Sequence, residues 1–313
     1  MLKTLIKLTG QKVIFPFYHI VSDDTPVHIR NLYRAKSQKE FIEDLDFLLQ
    51  YYQPMDLSYV KSYLNQDKKR TKPGFYLSFD DGLSEMYHVV RPILISKGIP
   101  AAFFCNTAFI DNKDMFFRYK ISILIEEIHK LQPSAVKNIE ALLQTQDIKS
   151  YLLSLKYGNI NTINSLANTL NVRFDEYLKQ VQPYLTTSQL AEMKNDGFNI
   201  GAHSIDHPYF ADINESEQLR QTSVSLDEIQ ELTHSQDRIF AFPFTEYGVS
   251  SSFFKSVSAD MIFGTAGIKK DIDSRVLHRI PMEESRKTAS QIIYKQYLYF
   301  MVKAFFNKNM RKR

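Results

Sequence analysis

The 313-residue chain has no tryptophan and one cysteine, Cys105. A single thiol excludes an intrachain disulfide framework, so a hydrophobic core must hold the fold. Cys105 ends the apolar run Ala101-Ala102-Phe103-Phe104, the setting of a buried, inert thiol. No stretch reaches the roughly 18–20 consecutive apolar residues that cross a bilayer. Met1 to Gly10 places Lys3 and Lys7 inside a short apolar pattern, without a continuous apolar segment or a small-residue cleavage site. No targeting segment is read there, and a cytoplasmic protein is expected. The net charge of +4 is small, and no nucleic-acid partner is expected. At 44% hydrophobic and 24% charged residues, the composition is that of an ordinary globular protein with ample core material.

Apolar runs alternate with helical patterns, which argues for parallel strands joined by crossover helices, an α/β fold. Strands are expected at 12–18, 74–79, 100–105, 198–202, 238–242, 260–264 and 276–280. Helices are expected near 84–96, 187–195, 214–233 and 250–257. Ser37-Gln38-Lys39-Glu40 reads as a capping box, followed by the apolar stripe Phe41, Leu45, Leu48 and Leu49. Seven strands make an irregular barrel the economical closure, so residues 1–313 are read as a single domain. Residues about 111–185 break the rhythm: they are helix-prone, with Ile121, Leu124, Ile125 and Ile128 on one stripe, and form a helical insertion after the third strand. Residues about 285–313 form a basic C-terminal helix, with Arg286, Lys287, Lys295, Lys303, Lys308, Arg311, Lys312 and Arg313 and no acid.

The residues that carry chemistry lie at strand ends. Leu77-Ser78-Phe79-Asp80-Asp81-Gly82 puts two carboxylates after an apolar strand, and Gly82 lets the chain turn so that both reach that end. About 120 residues later, His203-Ser204-Ile205-Asp206-His207 follows a second short strand. Asp, His and His leave an open position for water, as catalytic zinc sites do, with one carboxylate to spare as a base. Either motif alone is usually a turn, a cap or a surface feature; their conjunction after predicted strands points to a metal centre.

At these positions the chain resembles the polysaccharide deacetylases of the NodB-homology type, carbohydrate esterase family 4. Ser78-Phe79-Asp80-Asp81-Gly82 resembles that family's first motif, and His203-Ser204-x-x-His207 its second. The resemblance implies an irregular (β/α)7 barrel and removal of acetyl groups from N-acetylated sugars. It implies Asp80 as general base and Asp81, His203 and His207 as ligands of one divalent metal, with zinc the expected ion. The family's third motif, usually Arg-x-Pro-Tyr, is here Ala241-Phe242-Pro243-Phe244, so the cation that orients the base is missing. Pro243-Phe244 retains the turn whose N–H would help hold an oxyanion.

The general acid has two candidates. Leu277-His278 corresponds to the family's Leu-x-His with the histidine one place early, so a strand would point His278 away from the site. Arg279, on the other face, would then replace the missing cation. His19, after the opening strand, competes with His278 as acid. Asp260 is a weak counterpart of the fourth motif. The expected partner is an acetylated glycan, for which the chain's 18 Tyr and 23 Phe offer lining material. The C-terminal helix is read either as a closing barrel helix or as a peripheral contact with an anionic inner membrane surface. Two other functions fit the residues less well: a non-catalytic, metal-containing glycan-binding module, and an iron oxygenase using a two-His, one-carboxylate triad.

Overall fold

The expected strands pair in parallel around one sheet. The computed structural model describes residues 1–64, 72–283 and 287–311; Arg286, Lys312 and Arg313 of the basic tail lie outside them. The barrel strands are β1 (Pro16–Tyr18), β2 (Leu77–Phe79), β3 (Ala101–Cys105), β4 (Asn199–Ala202), β5 (Ile239–Ala241), β6 (Met261–Gly264), β7 (Val276–His278) and β8 (Ile280–Pro281). Their order is β7-β6-β5-β4-β3-β2-β1-β8, and every pair is parallel. β7 and β8 are two halves of one strand interrupted at Arg279. Their opposite neighbours, β6 and β1, therefore close the sheet into a seven-position barrel, as the (β/α)7 reading expects. A short parallel sheet of Val13–Ile14, Gly74–Phe75 and Gln53–Pro54 extends the start of the barrel.

Strand alternation sorts the core into two layers. Tyr76, Ala102, Phe104, Ala241, Phe263 and Leu277 fill the lumen. Leu77, Phe79, Phe103, Phe240 and Ile262 face outward to the helices. The helix Gln38–Tyr51 begins with the expected capping box, in which Glu40 N–H donates to the Ser37 side chain and Glu40 accepts from Ser37 N–H. The expected helix near 84–96 starts as a π-helical turn, Met86–Val90, and continues as Arg91–Lys97. Pro92 cannot donate an i→i−4 bond there, which favours the wider turn.

Between β3 and β4 the insertion contributes five α-helices, Phe117–His129, Pro133–Leu143, Ile148–Ser154, Ile160–Thr169 and Phe174–Val181, ahead of the expected helix Thr187–Asn195. Their apolar faces, including Ile121, Leu124, Ile125 and Ile128, form a second core that also takes in Ile20, Ile29 and Leu83 from loops of the barrel. The insertion therefore packs onto the end of the barrel where β1 and β2 finish. The C-terminal helix, Ala289–Phe305, buries Ile292, Ile293, Tyr297 and Phe300 but leaves Leu298, Met301, Val302 and Phe305 exposed. No described helix is long and apolar enough to cross a membrane.

Candidate active site

The lumen side of β2 carries Tyr76 and Ser78, and Asp80 continues that side at the strand's C-terminal end. Asp81 would ordinarily point the other way. It takes a left-handed conformation (φ 70°), as does Gly82 (φ 66°), and this turn brings both carboxylates to one end of the barrel. The sequence assigns the turn to Gly82; the backbone shares it with Asp81. A Cβ at Gly82 would also lie 3.1 Å from Cys105 Sγ. His203 follows β4, its N–H donating to Cys105 O at 2.9 Å. His207 returns through a turn in which its N–H donates to Ser204 Oγ at 3.0 Å, with φ positive at Ser204 (70°) and His207 (63°). Phe244, after β5, is the fourth non-glycine residue of the site with a left-handed backbone (φ 57°). Such conformations cost about 1–3 kcal/mol each and gather where function over-determines the backbone.

Asp81, His203 and His207 are all buried, and one ligand atom from each lies within 4.8 Å of the others. Asp81 Oδ1 sits 3.5 Å from His203 Nε2 and 3.2 Å from His207 Nε2, without a hydrogen-bond donor. His203 Nδ1–H donates to the Ala241 carbonyl at 2.8 Å, which leaves Nε2 free to ligate. The Tyr119 hydroxyl donates to Asp81 Oδ2 at 2.8 Å. Burial lowers the His203 pKa to about 4, so its imidazole is neutral. Burial would raise Asp81, but His207 and the other imidazoles outweigh it and hold the carboxyl below the usual carboxylate value. An orphaned buried carboxylate oxygen facing two imidazole nitrogens fits a divalent cation, and N,N,O donors suit zinc.

Asp80 meets Arg279. Nη1 donates to Oδ1 at 2.6 Å and Nη2 to Oδ2 at 2.7 Å, a bidentate pair with almost no solvent exposure. Nη1 also donates to Ser78 Oγ at 3.1 Å, and the guanidinium lies 4.3 Å from the Phe17 ring centroid. Burial pushes the Asp80 carboxyl up, yet the Arg279 charge holds it below the usual carboxylate value. The cation missing at Ala241 is thus present, supplied from the interrupted closing strand.

His278 is not brought to this cluster. Residues 277 and 279 face the lumen, so His278 points outward. There its Nε2 lies 3.0 Å from Asp271 Oδ2 and its Nδ1 3.5 Å from Glu246 Oε1, with the side chain fully buried. The expectation of a His278 general acid is corrected by strand alternation. Asp260 is corrected as well: it precedes β6, at the opposite end of the barrel, and accepts from Arg238 N–H at 2.8 Å. His28, in the loop after β1, is buried, its Nδ1 lies 2.9 Å from the Tyr177 hydroxyl, and burial lowers its pKa to about 4.

His19 does reach the site. With Asp81, His207, Phe116, Arg118, Phe244 and Glu283 it lines a cavity of about 540 Å³, within the range of ligand pockets. Its Nδ1 lies 2.6 Å from Glu283 Oε2, while Glu283 Oε1 accepts from the His19 and Ile20 N–H groups at 2.8 Å. Burial would lower the His19 pKa, but the Glu283 charge and hydrogen bond, with Asp81 and Asp80, raise it to about 9. Phe244 lies edge-on to His207, ring centroids 4.7 Å apart, and walls the cavity beside Pro243. Glu283 was missed as a candidate residue; its available signal was its place at the C-terminal end of a barrel strand. Tyr119 belongs to the run Phe116-Phe117-Arg118-Tyr119 that opens the insertion, which the sequence reads as able to border the groove; its contact with Asp81 was not foreseen.

Solved structures share this architecture. Streptococcus pyogenes deacetylase PplD in complex with acetate superposes with a TM-score of 0.60 at 14% identity, over 91% of this chain and 98% of that one. IcaB from Ammonifex degensii gives 0.59 at 16%, over 91% and 97%. The de-N-acetylase of Aggregatibacter actinomycetemcomitans gives 0.55 at 18%, over 90% and 99%. At these identities the likeness establishes the fold. Among curated proteins, none matches the chain in sequence. The family model described as polysaccharide deacetylase matches residues 67–257, more than half of the sequence and the span that holds both Asp80-Asp81 and His203–His207. The chain belongs to the polysaccharide deacetylase family.

Proposed function

We propose that the protein removes acetyl groups from N-acetylated sugars of a polysaccharide or oligosaccharide, with one divalent metal held by Asp81, His203 and His207. Family membership makes it a carbohydrate deacetylase acting on amide bonds; the metal and the residue roles are our reading. The observation that carries it is the orphaned Asp81 oxygen facing two imidazole nitrogens beside a second, Arg-locked carboxylate.

When bound, the cation would supply a Lewis acid for the acetamide carbonyl and a water of lowered pKa. Asp80, kept ionised and oriented by Arg279, accepts the proton of the attacking water. The turn at Pro243-Phe244 offers a backbone N–H to the carbonyl oxygen as it gains charge. Phe116, Phe244 and Leu153 supply the apolar wall of the cavity. His19, held protonated by Glu283, delivers a proton to the departing amine as the C–N bond breaks and acetate leaves. Two departures favour a non-catalytic glycan-binding module, the missing cation and the displaced His278; Arg279 supplies the first at Asp80, and His19 takes the place of the second in this reading.

The test is acetate release from a panel of N-acetylated oligosaccharides by the zinc-loaded protein. Asp80→Asn is expected to lower the rate about 10²–10⁴-fold with metal retained. His203→Ala is expected to lose the metal, read by elemental analysis. Stoichiometric metal without acetate release from any panel member would count against the reading.

A further inference from the structure

The cavity carries a charge that deacetylation of a neutral sugar does not use. Its anions are accounted for: Asp80 by Arg279, Glu283 by His19, and Asp81 by the divalent cation proposed above. Arg118, at the start of the insertion helix Phe117–His129, lines the same cavity. Its guanidinium lies 5.4 Å from the Phe244 ring centroid and 5.5 Å from that of Phe117. Among the described residues it meets no carboxylate and no hydrogen-bond acceptor, and its Nε is buried without a partner. Every other described arginine lies within ion-pair distance of a carboxylate.

A brace for an aromatic ring needs no charge, and a partly desolvated guanidinium without a counter-ion is costly. Its planar fork matches carboxylate and phosphate oxygens. Phe244 is itself stacked edge-on to His207, so Arg118 stands one aromatic ring away from the proposed metal ligands. We infer that Arg118 binds an anionic group carried beside the acetylated sugar, so that the substrate class is an acidic glycan. The inference rests on the deacetylase reading for the position of the acetamide. The shared chemistry is an oxyanion, from a uronate carboxylate or from a phosphate ester.

Three probes separate the cases: an oligosaccharide alternating N-acetylglucosamine with glucuronate, a neutral N-acetylglucosamine oligomer of equal length, and N-acetylglucosamine 1-phosphate. Binding is measured by calorimetry on the zinc-loaded Asp80→Asn protein, and acetate release on the wild type. The alternating oligosaccharide or the phosphate is expected to bind about 10–100-fold more tightly than the neutral oligomer. Arg118→Gln should erase that preference and Arg118→Lys retain part of it, with circular dichroism confirming the fold. Added salt should narrow the preference in the wild type without any substitution. Equal affinity for acidic and neutral probes, a preference unchanged in Arg118→Gln, or no binding of any probe by the folded protein would overturn the inference. An Arg118-dependent preference without acetate release would uphold it while the deacetylase reading fails.

Discussion

Removing Arg279 tests the centre of this site through stability rather than turnover. The guanidinium is fully buried and gives both terminal nitrogens to Asp80. Arg279→Met would leave Asp80 charged in the lumen with Phe17, Phe104 and Phe263 around the vacated position. Breaking one side of a buried ion pair costs about 3–5 kcal/mol. With an unfolding entropy of about 2.1 cal/mol/K per residue, a 313-residue chain loses about 1.5 °C per kcal/mol, so Tm should fall by about 5–8 °C. Asp80→Asn should also destabilise, by stranding the guanidinium. The double substitution should lose less than the two singles together, by about 1–3 kcal/mol, because no unpaired charge remains. The assay is thermal unfolding followed by far-ultraviolet circular dichroism, since the chain has no tryptophan to report, with a chelator present so that metal affinity does not contribute. Strict additivity of the two substitutions would refute the coupling.

His19 has a folded pKa of about 9 against an ordinary 6.5, so its charged pairing with Glu283 stabilises fully below about pH 6.5. That contribution is lost as pH rises through about 9. Glu283→Gln should therefore lower Tm more in mildly acidic than in alkaline buffer, and should move the alkaline limb of acetate release to lower pH; a limb that stays in place would remove His19 from the acid's role. Tyr119→Phe deletes the donor to Asp81 Oδ2 and should weaken metal binding about 10–100-fold, measured by competition with a chromophoric chelator. Cys105, its pKa raised by burial to about 12, should resist iodoacetamide in the native protein and react in urea. Vesicles containing anionic lipid should bind the full chain through the exposed Leu298, Val302 and Phe305 beside Lys303 and Lys308, and Val302→Glu with Phe305→Glu should abolish sedimentation with them.

The barrel was legible because parallel strands buried on both faces read as short apolar runs, and each run from Pro16 to Ile280 became one. The candidate ligand trio was legible because Asp81 and His203 lie just past strand ends and His207 follows His203 at a four-residue spacing. The choice between His278 and Arg279 was legible too, as a matter of strand phase: with 279 inward, His278 faces out and Arg279 meets Asp80. What escaped depends on distance along the chain. Glu283 has no local pattern to announce it; it matters because β8 lies beside β1 and sets it against His19. Tyr119 belongs to an insertion whose docking onto the loops after β1 and β2 no periodicity reveals.

The strand interruption at Arg279 also has a temporal meaning. Asp80 and its guanidinium partner are 199 residues apart, and they meet only when the final strand slots between the first and the sixth. Loop closure over such a distance is among the last and slowest acts of folding. A nascent or truncated chain ending before Val276 would hold both aspartates and both histidines yet have no counter-ion for its base. On the proposed mechanism, hydrolytic competence would wait until the closing strand is in place.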